Sequence, residues 1–239
     1  MKKLILMLLA LVLCLCACAG EPAADETTQP QETTAATEAQ ELTVPEEYGA
    51  LLQALAEAFP ATDTLTQYPE LTHMYTGHTA LTELGWAVAD LDGDGSAELL
   101  IKSLESPFIY DAFTVKDGVL TDLFSSTEND SFRLYEEGYV EAQWSAGTAM
   151  GTDYYRLENG EMKLFDRVVQ DPQQAAALGL VEDAANADTT ACWFRSETDQ
   201  KDAYTSVTVA EAMGIQQSFK EDHFELYPVF TPLSDYKNS

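Results

Sequence analysis

The sequence predicts an α+β fold: a β-rich antiparallel meander of hairpins with one N-terminal and one C-terminal helix. Three observations carry this reading. Apolar residues recur at helical spacing near position 50, Asp-Gly, Glu-Gly and Asn-Gly turns punctuate alternating segments from 113 to 160, and a capping signature stands at Thr208.

Pro45-Glu46-Glu47 is a good helix start, with Pro in the first turn and acids near the positive end of the helix dipole. Tyr48, Leu51, Leu52, Leu55 and Phe59 then form one apolar face, and Pro60 ends the run. After a polar stretch from Ala61 to Glu83 the pattern changes to strands. Phe113 to Leu120 alternates around Asp117-Gly118, a strong hairpin signal. Glu137-Gly138 follows the strand-like Phe132 to Tyr135, and Asn159-Gly160 follows Tyr154 to Leu157. The pair Ala191–Arg195 and Ala203–Thr208 extends the meander around the polar turn Glu197–Lys201. Thr208-Val209-Ala210-Glu211 has the form of a capping box and opens a helix to about Lys220. The small-residue run Ser145–Gly151 reads as a flexible connection between two hairpins.

The 239 residues carry 12 Lys plus Arg against 41 Asp plus Glu, a formal charge of −29. Nucleic-acid binding through a basic surface is excluded, because phosphate contacts need clustered cations. A content of 46% hydrophobic residues is enough to bury a core.

Met1-Lys2-Lys3 followed by an apolar run to Ala17 reads as a charged n-region and an h-region too short for a permanent span. Leu15-Cys16-Ala17-Cys18 resembles the lipobox of bacterial lipoproteins, in which the Cys after a small residue is lipidated and becomes the new N-terminus. The expected organisation is a signal peptide over 1–17, lipidated Cys18 and a tether over 18–44, and a single domain over 45–239. Loss of Lys2 and Lys3 takes the charge from −29 to −31. So anionic a body is expected to attach to a membrane through acyl chains such as palmitate rather than by headgroup adsorption. From Ala19 to Thr43 the chain is rich in Ala, Thr, Glu, Gln and Pro, with Leu42 its one large aliphatic, so it buries too little apolar surface to fold. Such a spacer reaches about 25–30 Å. Cys14, Cys16 and Cys18 belong to the signal region, which leaves Cys192 as the one cysteine of the body and predicts a small buried residue there.

One motif carries chemistry. Trp86 to Ala89 leads into Asp90-Leu91-Asp92-Gly93-Asp94-Gly95-Ser96-Ala97-Glu98, and Leu99-Leu100-Ile101 leads out. Acids at alternate positions bring their carboxylates to one side of a tight loop, where a cation makes their crowding tolerable. The predicted ligands are side-chain oxygens of Asp90, Asp92 and Asp94, the Ser96 carbonyl and the Glu98 carboxylate. All-oxygen ligation favours Ca²⁺ over Zn²⁺. The first six positions resemble an EF-hand loop, but Ile101 stands where an EF-hand has Glu, and strands flank the loop. The strand-loop-strand calcium loop of integrin-type β-propeller repeats is a closer likeness. A propeller needs several copies and this chain has one, so that fold is not implied. Lipobox, acidic tether, DxDGDGxxEL loop and following hairpins together resemble secreted lipoproteins of Gram-positive anaerobes; the resemblance implies a cell-surface, membrane-anchored, calcium-binding protein and no particular activity.

Other constellations are weaker. Glu70, His73 and His78 lack zinc-site spacing and read as loop residues. Glu136-Glu137 is the kind of acidic pair a glycoside hydrolase uses, although adjacent pairs arise by chance among 41 acids. Trp86, Trp144 and Trp193 could form a sugar- or peptide-binding surface, with core packing the plainer reading. A solute-binding lipoprotein would need two α/β lobes that this pattern lacks. The expected function is a non-enzymatic binding or structural module with an extracellular glycan or protein ligand; a secreted hydrolase acting on glycan or peptide is the alternative.

Overall fold

The computed structural model describes residues 44–69, 71–198, 200 and 203–236. The predicted signal, Cys18 and all of the tether but Val44 lie outside the described residues. The first helix, α1 (Glu46–Ala58), starts where Pro45 and two acids place it, and the Phe59 N–H closes it on the Leu55 carbonyl. Four strands follow as an antiparallel meander: β1 (Leu84–Ala89), β2 (Glu98–Ser103), β3 (Asp111–Lys116) and β4 (Val119–Ser125). A second meander begins with β5 (Asp130–Leu134), β6 (Tyr139–Ala146), β7 (Ala149–Leu157) and β8 (Met162–Gln170). After a short helix, α2 (Pro172–Ala177), it is completed by β9 (Trp193–Ser196) and β10 (Thr205–Ser206). The helix α3 (Val209–Asp222) is closed by the expected capping box: the Glu211 N–H donates to the Thr208 hydroxyl and the Thr208 N–H to the Glu211 carboxylate. The chain then runs along β5, with the Leu226 N–H on the Leu134 carbonyl. It ends with β11 (Thr231–Pro232), which pairs with β1, and α4 (Leu233–Tyr236).

The fold is therefore α+β as expected, with its strands divided into a five-stranded sheet, β11-β1-β2-β3-β4, and a six-stranded sheet, β10-β9-β8-β7-β6-β5. Strand alternation sorts the core into layers. Leu84, Leu99, Ile101 and Phe113 face Tyr48, Leu51, Leu52 and Leu55 of α1. Ala87, Leu100, Ala112 and Phe124, on the other face, meet Leu134, Val140 and Leu157 of the larger sheet. Tyr135 and Tyr154 on the far side of that sheet pack on Phe219 of α3. The order is helix, sheet, sheet, helix, each layer presenting an apolar face that only its neighbour can cover.

One expectation needs revising. Ser145–Gly151 is not a flexible connection: Ser145 pairs with Met150 and Ala146 with Ala149, so the run is a tight hairpin between β6 and β7, turned at Gly147 with φ +63°. Its small residues hide the strand alternation. Within the polar stretch 61–83, Leu65 and Tyr75 at short 3₁₀ turns and Leu71 between them complete the α1 core layer. The predicted Cys192 environment is found, fully buried beside Phe194. No helix among the described residues is long and apolar enough to cross a membrane.

Candidate metal centre

The acidic segment is the connection of the β1–β2 hairpin, and Ala89 and Glu98 are its last cross-strand pair. Backbone N–H groups shape it. The Asp90 carboxylate accepts from the Gly93 N–H at 2.8 Å and from the Gly95 N–H at 3.0 Å. Asp92 Oδ1 accepts from the Asp94 N–H at 3.2 Å, and Asp94 Oδ1 from the Ser96 N–H at 2.6 Å. Gly93 and Gly95, at φ +76° and +91°, take the left-handed conformation that such close curling requires.

The fold brings Asp90, Asp92 and Glu98 together. A carboxylate oxygen from each lies within 4.8 Å of the others. Asp94 is exposed, with its Oδ1 turned onto the Ser96 N–H, and Ser96 is exposed as well. Carboxylates of three of the four predicted acids thus form the cluster, and Asp94 is the acid left outside it.

Glu98 is the first residue of β2 and is fully buried, 0% exposed. Its carboxylate accepts from the Leu91 N–H at 2.9 Å and lies 3.5 Å from the Thr114 hydroxyl. Burial pushes its carboxyl up to about 7, the Leu91 N–H opposes that, and the negative charges of Asp92, Asp94 and Asp90 add to it. Asp92 Oδ2 is buried and has no hydrogen-bond partner. An orphaned carboxylate oxygen beside two further carboxylates is costly unless a cation joins them. The donor set is entirely oxygen, the chemistry of a hard divalent ion. These residues fit a metal ion.

The loop also sits where the layers meet. A Cβ on Gly138, in the turn before β6, would lie 3.0 Å from Asp92 Cβ and 3.1 Å from the Leu157 carbonyl. One on Gly160 would lie 3.3 Å from Thr114, beside Glu98. From the other side the Tyr48 hydroxyl of α1 donates to the Ala97 carbonyl at 2.6 Å, with the Phe113 carbonyl at 3.2 Å. Helix, small sheet and two turns of the large sheet converge on these few residues.

No protein-family model, curated protein or solved structure matches this chain. What the centre can do is therefore read from its own geometry. Strands flank the loop, and Ile101, at the twelfth position, is buried against α1. It has no side-chain oxygen to offer.

The weaker candidates fare differently. Glu70 lies outside the described residues, and the His78 ring lies between Glu83 (3.2 Å) and the Tyr110 hydroxyl (3.0 Å). Glu136 and Glu137 are exposed neighbours on one turn. Trp86 packs edge-on against Tyr236 in the α1 core layer, and Trp144 lies against Gly151 with its indole N–H on Asp153. Sequence reasoning missed Asp153, which is 3% exposed and accepts from Trp144, Tyr155 and the Arg167 guanidinium. No local spacing joins β6, β7 and β8 residues into one motif, so no signal could have found it.

Proposed function

We propose that this chain is an extracytoplasmic lipoprotein, anchored to the cell membrane through acyl chains on Cys18. In this reading its β-rich domain is stapled by Ca²⁺ and serves as a binding or structural module, not a catalyst. The lipobox-like Leu15-Cys16-Ala17-Cys18 and the likeness to secreted lipoproteins of Gram-positive anaerobes support the anchor. The single observation that carries the staple is Asp92 Oδ2, buried without a partner beside the carboxylates of Asp90 and Glu98. Ca²⁺ suits the site because the donors are all oxygen and the loop offers further oxygens at its exposed rim, Asp94 among them. Mg²⁺ demands tighter octahedral geometry and sheds its waters reluctantly. Because the loop touches both a turn of the large sheet and, through Ala97, the α1 tyrosine, an ion here would hold layers together.

Thermal melting with Ca²⁺, with Mg²⁺ and with chelator tests the staple. An ion at ten times its dissociation constant adds about 1.4 kcal/mol to stability. Calcium should raise the melting temperature more than magnesium does. A chelator that leaves the melting temperature of calcium-loaded protein unchanged refutes the proposal. For the anchor, Cys18→Ala should release the body from membranes, and continued retention would point to another attachment.

A further inference from the structure

The face of the large sheet that carries α3 is not covered along its whole length. Ser131, Gln143 and Thr152 stand opposite one another across β5, β6 and β7, and Trp193 of β9 lies one cross-strand row along on the same face. They line a groove of about 620 Å³, bounded by Gln216 of α3 on one side and by Phe108 beyond β5 on the other. That volume falls within the range of small-molecule sites, about 300–1,000 Å³.

We propose that this groove binds a neutral oligosaccharide. The strands β6 and β7 under Gln143 and Thr152 have neighbours on both sides, and the β5 edge is partly taken by the Ile109 and Leu226 N–H groups on the Phe132 and Leu134 carbonyls, so recognition on this floor falls to side chains. A peptide ligand, usually held through its own backbone on a sheet edge, is poorly served by such a floor. What the floor offers is hydroxyls and amides, which both donate and accept and so match sugar hydroxyls. The Gln143 amide N–H₂ donates to Glu141 at 2.6 Å, and its carbonyl oxygen makes no hydrogen bond among the described residues. The Thr152 hydroxyl accepts from Gln216 at 3.2 Å and keeps its own proton to donate.

The walls supply the apolar half of the recognition. Trp193 and Phe108 present rings, and the C–H face of a pyranose stacks on an aromatic ring while its hydroxyls point away. The Trp193 indole N–H makes no hydrogen bond among the described residues, so it is a further donor. Charge selects a neutral ligand. Among the described residues no Lys or Arg lines the groove, Glu128 and Asp130 do line it, and Arg133, stacked on the Phe108 ring, is paired with Glu225 at 3.2 Å. On a chain of charge −29, uronate or phosphate groups would be repelled without a compensating cation.

The proposal rests on the binding-module reading but uses no residue of the acidic loop, so the two can fail separately. The test is titration calorimetry with tryptophan fluorescence on the full calcium-loaded chain. The probes are cellohexaose, maltohexaose and an N-acetylglucosamine hexamer, with hexagalacturonate and a neutral hexapeptide as comparisons. At least one neutral sugar should bind saturably and quench fluorescence, and hexagalacturonate should not. Affinity should fall about tenfold in Trp193→Ala, the loss of one well-packed aromatic contact. A similar fall is expected in Gln143→Ala, with its melting temperature measured alongside to separate loss of the groove contact from loss of the Gln143–Glu141 hydrogen bond. No saturable sugar binding, tighter binding of the peptide or the uronate, or undiminished affinity in Gln143→Ala would each overturn the proposal. If calcium shifts the melting temperature while sugars fail to bind, the groove alone is refuted; sugar binding without a calcium shift refutes the staple alone.

Discussion

Asp92→Asn should change the sign of its effect on stability with calcium. In the metal-free protein Asp90, Asp92 and Glu98 hold carboxylate oxygens within 4.8 Å of one another. Two unit charges about 5 Å apart interact by on the order of 3 kcal/mol at an effective dielectric constant of about 20. Asp90 and Asp92 are half-exposed, so solvent screening leaves roughly 1 kcal/mol of repulsion. Asn keeps the Oδ1 acceptor used by the Asp94 N–H and places an N–H donor where Oδ2 is buried without a partner. Without calcium the variant is therefore more stable than wild type by about 1 kcal/mol, or about 2–4 °C in melting temperature for a domain of this size. With calcium it has lost a charged ligand and gains little of the roughly 1.4 kcal/mol that wild type gains at ten times the dissociation constant. The melting curves of the two proteins should cross in order between chelator and calcium. Calorimetric or fluorescence-detected melting under both conditions decides it. A variant less stable than wild type in chelator, with an undiminished calcium shift, would refute the charge-crowding argument.

Two further outcomes follow from other parts of the fold. Asp111 is fully buried, and burial pushes its carboxyl from 3.8 up to about 7, partly offset by hydrogen bonds from Ser125, Tyr75 and Thr72. The folded state therefore holds this proton more tightly than the unfolded chain does. The stabilisation is fully present below the unfolded value and is lost as pH rises toward about 7, so urea unfolding should show stability falling across that window, with a shallower fall in Asp111→Asn. In Gly138→Ala, a φ of +77° and a Cβ 3.0 Å from Asp92 Cβ should together cost about 1–3 kcal/mol and weaken the calcium response by displacing Asp92, both measurable by melting with and without calcium.

What could be read along the chain were features that neighbours in sequence determine. Pro45-Glu46-Glu47 and the helical spacing of Tyr48 to Leu55 sufficed for α1, the Thr208–Glu211 box for α3, and the Asp-Gly, Glu-Gly and Asn-Gly turns for three hairpins. The acidic loop was legible for the same reason. Its residues lie within nine positions, and its shape comes from hydrogen bonds between its own carboxylates and its own N–H groups.

Contacts between segments distant in sequence were decided by the tertiary structure. The division of one meander into two sheets follows from which faces bury each other, as when Leu100 and Phe124 meet Val140 and Leu157. The meeting of Asp90, Asp92 and Glu98 carboxylates involves the burial of Glu98 at the start of β2 and the close approach of Gly138, from another sheet, to Asp92. The groove of Ser131, Gln143, Thr152 and Trp193 exists only through strand register, since a slip of one residue would turn each of those side chains to the opposite face. Carboxylate spacing and turn chemistry act over a few bonds, whereas burial, desolvation and register act between segments that the chain brings together only on folding.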